Sequence, residues 1–155
     1  ELVVYISMGF GNPYGNPWNA DIVYQWTSRL VGMGIKIIQL SDTIGVSNPD
    51  SISYLFSNLL PLYTDVEIGA HLHTTPTTWK EKIVAAYESG CRRFDGAIKG
   101  YGGCPMAKDD LTGNMPTENM VNHFQAVHPD FSMDKEAFLN AMTLAGEVFP
   151  EHYSN

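Results

Sequence analysis

Glu67-Ile-Gly-Ala-His-Leu-His73 reads as a β-strand by its alternation. Ile68, Ala70 and Leu72 fall on one side; Glu67, Gly69, His71 and His73 fall on the other. Helical patterns flank it. Upstream, Asn48-Pro49 reads as N-cap and first helical position, Ile52, Leu55, Phe56 and Leu59 form an apolar stripe, and Pro61 ends the run. Downstream, Thr75-Pro76 opens a helix with Trp79, Ile83 and Tyr87 on one face and Gly90 at its end. Further out, Leu2–Ser7 and Ile35–Leu40 are short β-branched, apolar runs that read as strands. Between them, after a loop from Gly9 to Asn16, Ile22, Val23, Trp26, Leu30 and Met33 share a helical face that stops at Gly34. Arg92–Ile98 is a fourth strand with Asp95 inside it, and Thr117 starts a helix carrying Met120, Val121 and Phe124. His128-Pro129 breaks that helix, and Phe138, Leu139 and Met142 mark a last one.

Strand alternating with helix four times means parallel pairing with right-handed crossovers. The fold class is α/β. Two architectures fit: an open doubly wound sheet, or part of a (β/α)8 barrel. A whole barrel takes eight such units and about 250 residues, so these 155 residues make at most half of one.

The totals narrow the function. Net charge is −8, with 9 Lys+Arg against 17 Asp+Glu, so the chain lacks the basic footprint of a nucleic-acid binder. No apolar run reaches membrane-spanning length. Cys91 and Cys104 make no disulfide framework, which points to a reducing compartment, cytoplasm or mitochondrial matrix. No signal peptide is visible, and the opening directly on a strand without an initiator Met suggests a piece of something longer.

Several residues are candidates for chemistry. His71 and His73, two apart on a strand, project the same way at its C-terminal end, where parallel α/β proteins place their sites. They suit a metal, or they are a hydrogen-bonded pair lining a polar pocket. Asp42 ends the second strand in Ser41-Asp42-Thr43, in the site or as a turn cap. Asp95, polar in a buried strand, needs a partner: Arg92, Arg93 or the site. Trp18, Trp26 and Trp79 read as helix-face packing, and His123, His128 and His152 as surface or helix-end residues. The long glycine-rich stretch Lys99–Glu118 holds Cys104 between Gly103 and Pro105; such a loop is functional or mobile. Asn114 and Glu118 flank the following helix start, where capping and favourable dipole placement would occupy them.

Taken together, Ser41-Asp-Thr-Ile-Gly-Val46, His71-Leu-His73 and Gly100-Tyr-Gly-Gly-Cys-Pro-Met-Ala107 with Gly113-Asn-Met-Pro-Thr-Glu118 resemble the hydroxymethylglutaryl-CoA lyase family. The order of the motifs implies the C-terminal half of a (β/α)8 barrel, strands five to eight, with extra C-terminal helices and the N-terminal half absent. The resemblance implies cleavage of 3-hydroxy-3-methylglutaryl-CoA to acetyl-CoA and acetoacetate with Mg²⁺ or Mn²⁺. By the same resemblance His71, His73 and Asn114 are metal ligands, His71 also lies near the substrate, Cys104 is the catalytic cysteine of a lid loop, and Asp42 and Glu118 are active-site acids. A further aspartate ligand is implied on the missing half. The family usually carries Asp after the second histidine; here it is Thr74. A Claisen-type synthase or aldolase of the same barrel, or an inert half-barrel, are the competing readings, and Cys104 favours the lyase.

The expected partners are an acyl-CoA substrate, the missing barrel half and a second copy of this chain, with no nucleic acid and no membrane. Four parallel units leave two strand edges unpaired, Leu2–Ser7 and Arg92–Ile98, and expose the face meant for the barrel interior. Two copies pairing first strand to last would close an eight-stranded barrel with twofold symmetry. In the alternative, a flavodoxin-like sheet, the tail helices cover that face.

Overall fold

The computed structural model describes residues 1–103 and 112–149. Strands β1 (Val3–Ile6), β2 (Ile37–Ser41), β3 (Glu67–His71) and β5 (Phe94–Asp95) form one sheet in the order β1-β2-β3-β5, every neighbouring pair parallel. Helices α1 (Ala20–Gly32), α2 (Pro49–Leu59) and α3 (Trp79–Glu88) make the crossovers, and α4 (Thr117–Val127) and α5 (Lys135–Val148) follow β5. The order is sequential and has no switch point. That is one side of a (β/α)8 barrel and rules out the flavodoxin-like arrangement, whose strand order reverses.

The core lies between the sheet and the helices. Ile38, Leu40, Ile52, Leu55, Phe56, Leu59, Ile83 and Ala86 are fully buried there. Asn48 caps α2 in a reciprocal capping box with Ser51, as Asn-Pro led us to expect. Helix α1 departs from its expected packing. Val23 and Thr27 are its buried residues, whereas Trp26 is 50% and Met33 76% exposed. The exposed Trp26 ring lies under the Arg29 guanidinium. Helix α3 starts at Trp79, later than Thr75-Pro76 suggested, because Thr75 to Thr78 form a turn of their own closed by Thr78 N–H on Thr75 O. His128 is no idle helix-end residue: it hydrogen-bonds the Tyr87 hydroxyl.

The fourth strand is much shorter than Arg92–Ile98, and the third stops at His71. One segment explains both. Residues 113–116 come in over the C-terminal ends of these strands. Asn114 and Gly113 (β6, Gly113–Asn114) pair antiparallel with His73 and Thr74 (β4, His73–Thr74), Met115 N–H donates to Leu72 O, and Ala97 bridges to Pro116. A Cβ on Gly96 would lie 2.3 Å from Met115 O, so glycine is what lets this backbone approach.

The sheet face turned away from the helices is less open than expected. Gln39 and His73 on that face are each at most 6% exposed within the single chain. Its middle is polar, so the open edges, where Leu2 and Tyr5 are exposed, carry the apolar surface.

Candidate active site

Strand register stacks the inward side chains in rows. Tyr5, Gln39 and Gly69 are aligned across β1, β2 and β3; one pleat toward the C-terminal ends, Ser41, His71 and Asp95 are aligned. Asp95 is where the rows meet. Its Oδ1 lies 2.6 Å from His71 Nδ1, and its Oδ2 accepts from the Tyr5 hydroxyl at 2.5 Å and from Gln39 Nε2 at 3.1 Å. Of the partners foreseen for it, the site is the one it takes; Arg93 pairs with Glu67, and Arg92 donates to the carbonyls of Tyr87 and Cys91. Gln39 reaches across because position 69 is glycine; a Cβ there would sit 2.0 Å from Gln39 Oε1.

This clamp fixes the chemistry of His71. Burial pushes the Asp95 carboxyl up, but the bonds from His71, Tyr5 and Gln39 outweigh it and hold the group below its ordinary value. An ionised carboxylate only accepts, so His71 Nδ1 bears the hydrogen of this bond, which in the neutral imidazole leaves the lone pair on Nε2. The same carboxylate raises the Tyr5 hydroxyl, first through their hydrogen bond and then through burial.

His73 lies next to His71, ring centroids 5.4 Å apart, so the two imidazoles do share a face. Burial, and then the neighbouring His71, push its pKa down, with Asp42 and a hydrogen bond to Asn114 opposing in part. It is the neutral imidazole that binds a metal. Its Nδ1 is buried without a hydrogen-bond partner. Opposite it, Asn114 is held by donation from its Nδ2 to Tyr101 O at 2.7 Å and from its backbone N–H to Gly102 O. Thr74 is buried beside it and pairs with Gly113.

The remaining candidates are engaged in contacts of their own at its margin, where Asp42 N–H donates to His71 O at 2.8 Å. Asp42 is fully buried; it accepts from Ser47 N–H at 3.0 Å, the Ser47 hydroxyl at 2.5 Å and Lys82 Nζ at 2.9 Å. This is the turn-capping fate, strengthened by an ion pair. Glu118, in the first turn of α4, accepts from Lys99 N–H at 2.9 Å and so ties the turn after β5 to the helix. Cys104 lies outside the described residues. Cys91 is buried, and burial pushes its thiol up to about 12. A cavity of about 480 Å³, walled in part by Asn12, Thr75 and Lys82, opens beside the turn after β2; neither imidazole lines it.

Residues 6–144 match the profile of the HMGL-like family. The chain belongs to that family. Among HMGL-like relatives, a hydroxymethylglutaryl-CoA lyase of Bacillus subtilis is 32% identical over 88% of this chain and 46% of its own length. An (R)-citramalyl-CoA lyase of Chloroflexus aurantiacus is 32% identical over 89% of this chain and 43% of its own. The structure of the Bacillus subtilis HMG-CoA lyase superimposes at a TM-score of 0.85 and 30% identity, covering 96% of this chain and 49% of the other. An HMG-CoA lyase solved with coenzyme A and 3-methylmalate gives 0.79 at 29% identity, covering 96% and 48%. The four-stranded parallel unit is thus about half of the TIM-barrel structures it matches, and the chain spans about half the length of its curated HMGL-like relatives.

As a metal site the group fits in part. Two imidazole nitrogens and the Asn114 carboxamide are donors suited to Mg²⁺ or Mn²⁺ in a mixed nitrogen and oxygen shell, and the unpartnered His73 Nδ1 is an orphan of the kind a ligand or water satisfies. No three His, Cys, Asp or Glu side chains cluster at metal-binding spacing among the described residues. Sequence reading missed Tyr5, Gln39 and Lys82. Each left a signal: Gln39 interrupts an apolar strand, Tyr5 is in phase with the inward positions, and Lys82 falls on the buried stripe of α3.

Proposed function

We propose that this chain is the C-terminal half of a divalent-metal-dependent carbon–carbon lyase that cleaves 3-hydroxy-3-methylglutaryl-CoA to acetyl-CoA and acetoacetate. The observation that supports it most is the pairing of His71, oriented by Asp95, with His73 set against Asn114 at the strand ends. Family membership supports the lyase class, and the named relatives act on CoA thioesters of hydroxy acids.

In the reaction the tertiary hydroxyl loses its proton, the adjacent C–C bond breaks, and its electron pair passes to the carbon beside the thioester. Protonation of that carbon gives acetyl-CoA, while the former alcohol becomes the ketone of acetoacetate. With Nδ1 held by Asp95, His71 has one lone pair, on Nε2, to give to the metal beside the substrate hydroxyl, so the hydroxyl proton leaves to a base other than this nitrogen. Tyr5 and Gln39 keep Asp95 ionised and in place, so the imidazole does not turn. His71, His73 and Asn114 would hold the Mg²⁺ or Mn²⁺, which when bound acidifies the substrate hydroxyl. Cys104, by the resemblance of its Gly-Gly-Cys-Pro loop, is the acid that protonates the carbanion. Asp42 and Glu118 act through the turns they fasten, and the first-strand aspartate comes from the complementary half of the barrel. A reducing compartment, cytoplasm or mitochondrial matrix, suits the thiol. No helix among the described residues is long and apolar enough to cross a membrane.

Acetoacetate release from 3-hydroxy-3-methylglutaryl-CoA with Mn²⁺ tests this, using the chain alone and mixed with the N-terminal half of the Bacillus subtilis relative. The chain alone should be inactive and the mixture active, with His71→Ala and Cys104→Ser abolishing the gain. A mixture that forms a stable complex and cleaves (R)-citramalyl-CoA instead would reassign the substrate. One in which His71→Ala keeps full activity would overturn the site.

A further inference from the structure

Lys82 sits where an apolar residue would be at home. It lies on the buried stripe of α3 with Ile83, Ala85 and Ala86, and only 3% of it is exposed. An ammonium has three N–H donors, and all three have acceptors: Asp42 Oδ2 at 2.9 Å, His73 O at 2.8 Å and Gly45 O at 3.3 Å. Asp42 and Gly45 belong to the turn that follows β2; His73 opens β4. One cation therefore fastens two backbone carbonyls and a carboxylate from two separate βα connections.

A pair buried this completely adds little stability over well-packed apolar residues of the same volume. What it adds here is direction. The carbonyl of His73 belongs to the peptide plane that leaves its Cα, so fixing that oxygen fixes where the imidazole starts from. Asp42 in turn aims Lys82, through the carboxylate that Ser47 holds from the other side. We infer that Lys82 and Asp42 act together as positioning residues for His73, with Asp42 serving through Lys82 and not as an acid at the reacting atoms. The inference rests on the proposed function for what His73 does, but not for where it is held.

The test uses the full chain labelled with ¹⁵N-histidine and two variants. Lys82→Met leaves Asp42 buried and charged without its cation, held by Ser47 only, which endangers folding; Asp42→Asn/Lys82→Met removes that charge and keeps the comparison sound. The expected result is that the imidazole signals of His73 shift or broaden in both variants while those of His123 on α4 stay in place. Mn²⁺ affinity by calorimetry should fall ten-fold or more in both, the size seen when support of a ligand is removed. Signals of His73 that coincide with wild type in the double variant overturn the inference. Mn²⁺ binding absent from the wild-type chain, with the His73 signals still displaced in the variants, leaves the positioning role standing and removes the metal reading instead.

Discussion

Replacing Asp95 with Asn takes out the joint between the two rows of the site, and the structure sizes the loss. Three donors converge on the carboxylate, from His71, Tyr5 and Gln39. Hydrogen bonds to a charged group are ordinarily about 1.5–3 kcal/mol each. Asp95 is 29% exposed, and Asn retains one acceptor. Discounting for both leaves about 2–4 kcal/mol of folding stability. For a chain of this length, that lowers the melting temperature by about 5–15 °C. The sign with pH follows from the depressed carboxyl. Both states are ionised above about pH 5, where the contribution is complete; it is lost as pH falls through the unfolded value near 3.9 toward the lower folded one. Asp95→Asn should therefore flatten the acid limb of the stability curve as well as lower the plateau. Urea unfolding at pH 7 and pH 3.5 reads both effects. A cycle with Tyr5→Phe isolates the shared bond, with an expected coupling of about 0.5–1.5 kcal/mol. Additive losses within about 0.3 kcal/mol, or an unchanged acid limb, would refute the clamp.

Three further outcomes are expected. In a Cys104→Ser background, the remaining Cys91 should not react with a thiol-specific chromogen at pH 8, because burial holds its thiol near 12; one equivalent should appear on unfolding. Gly69→Ala places a methyl against Gln39 and 2.9 Å from Arg93 Cβ, costing about 1–3 kcal/mol by overpacking and freeing Gln39 from Asp95, as thermal melts with Gln39→Ala alongside will show. The unpaired edges β1 and β5 should draw two copies together, so light scattering at high micromolar concentration should give twice the chain mass; a monomer whose stability is indifferent to dilution would refute the pairing.

Much of the fold was legible because its signals are local. Alternation over Glu67–His73, the Asn48-Pro49 start and the glycine stops each reflect one segment's own chemistry; they gave parallel βα units but left sheet and barrel open, and the barrel order came from the family resemblance. The shared face of His71 and His73 was legible for the same reason, since a strand's period is fixed. What could not be read depends on other segments. Asp95 chose His71, Tyr5 and Gln39 over its neighbours in sequence because register brings those groups across the sheet. β5 ended early because residues 113–116 take its place, a contact between segments about 20 residues apart that no periodicity announces. Lys82 drew no reading from the sequence; that its stripe is buried depends on what α3 packs against.

The long glycine-rich loop leaves and rejoins the site through a narrow neck. Tyr101 and Gly102 on the outgoing side accept both the side chain and the backbone of Asn114 on the returning side, and Gly103 runs so close to Thr112 that a Cβ there would meet its carbonyl at 3.0 Å. Because the neck is closed by its own hydrogen bonds, the entropy of bringing the two ends together is met within the site, and added length between them costs only a logarithmic increment. Asn114 then keeps its place opposite His73 whatever joins Gly103 to Thr112 in sequence. The neck in this sense separates two tasks of one stretch: Asn114 is placed by the strand end it pairs with, and the chain that carries Cys104 can vary in length without disturbing that placement.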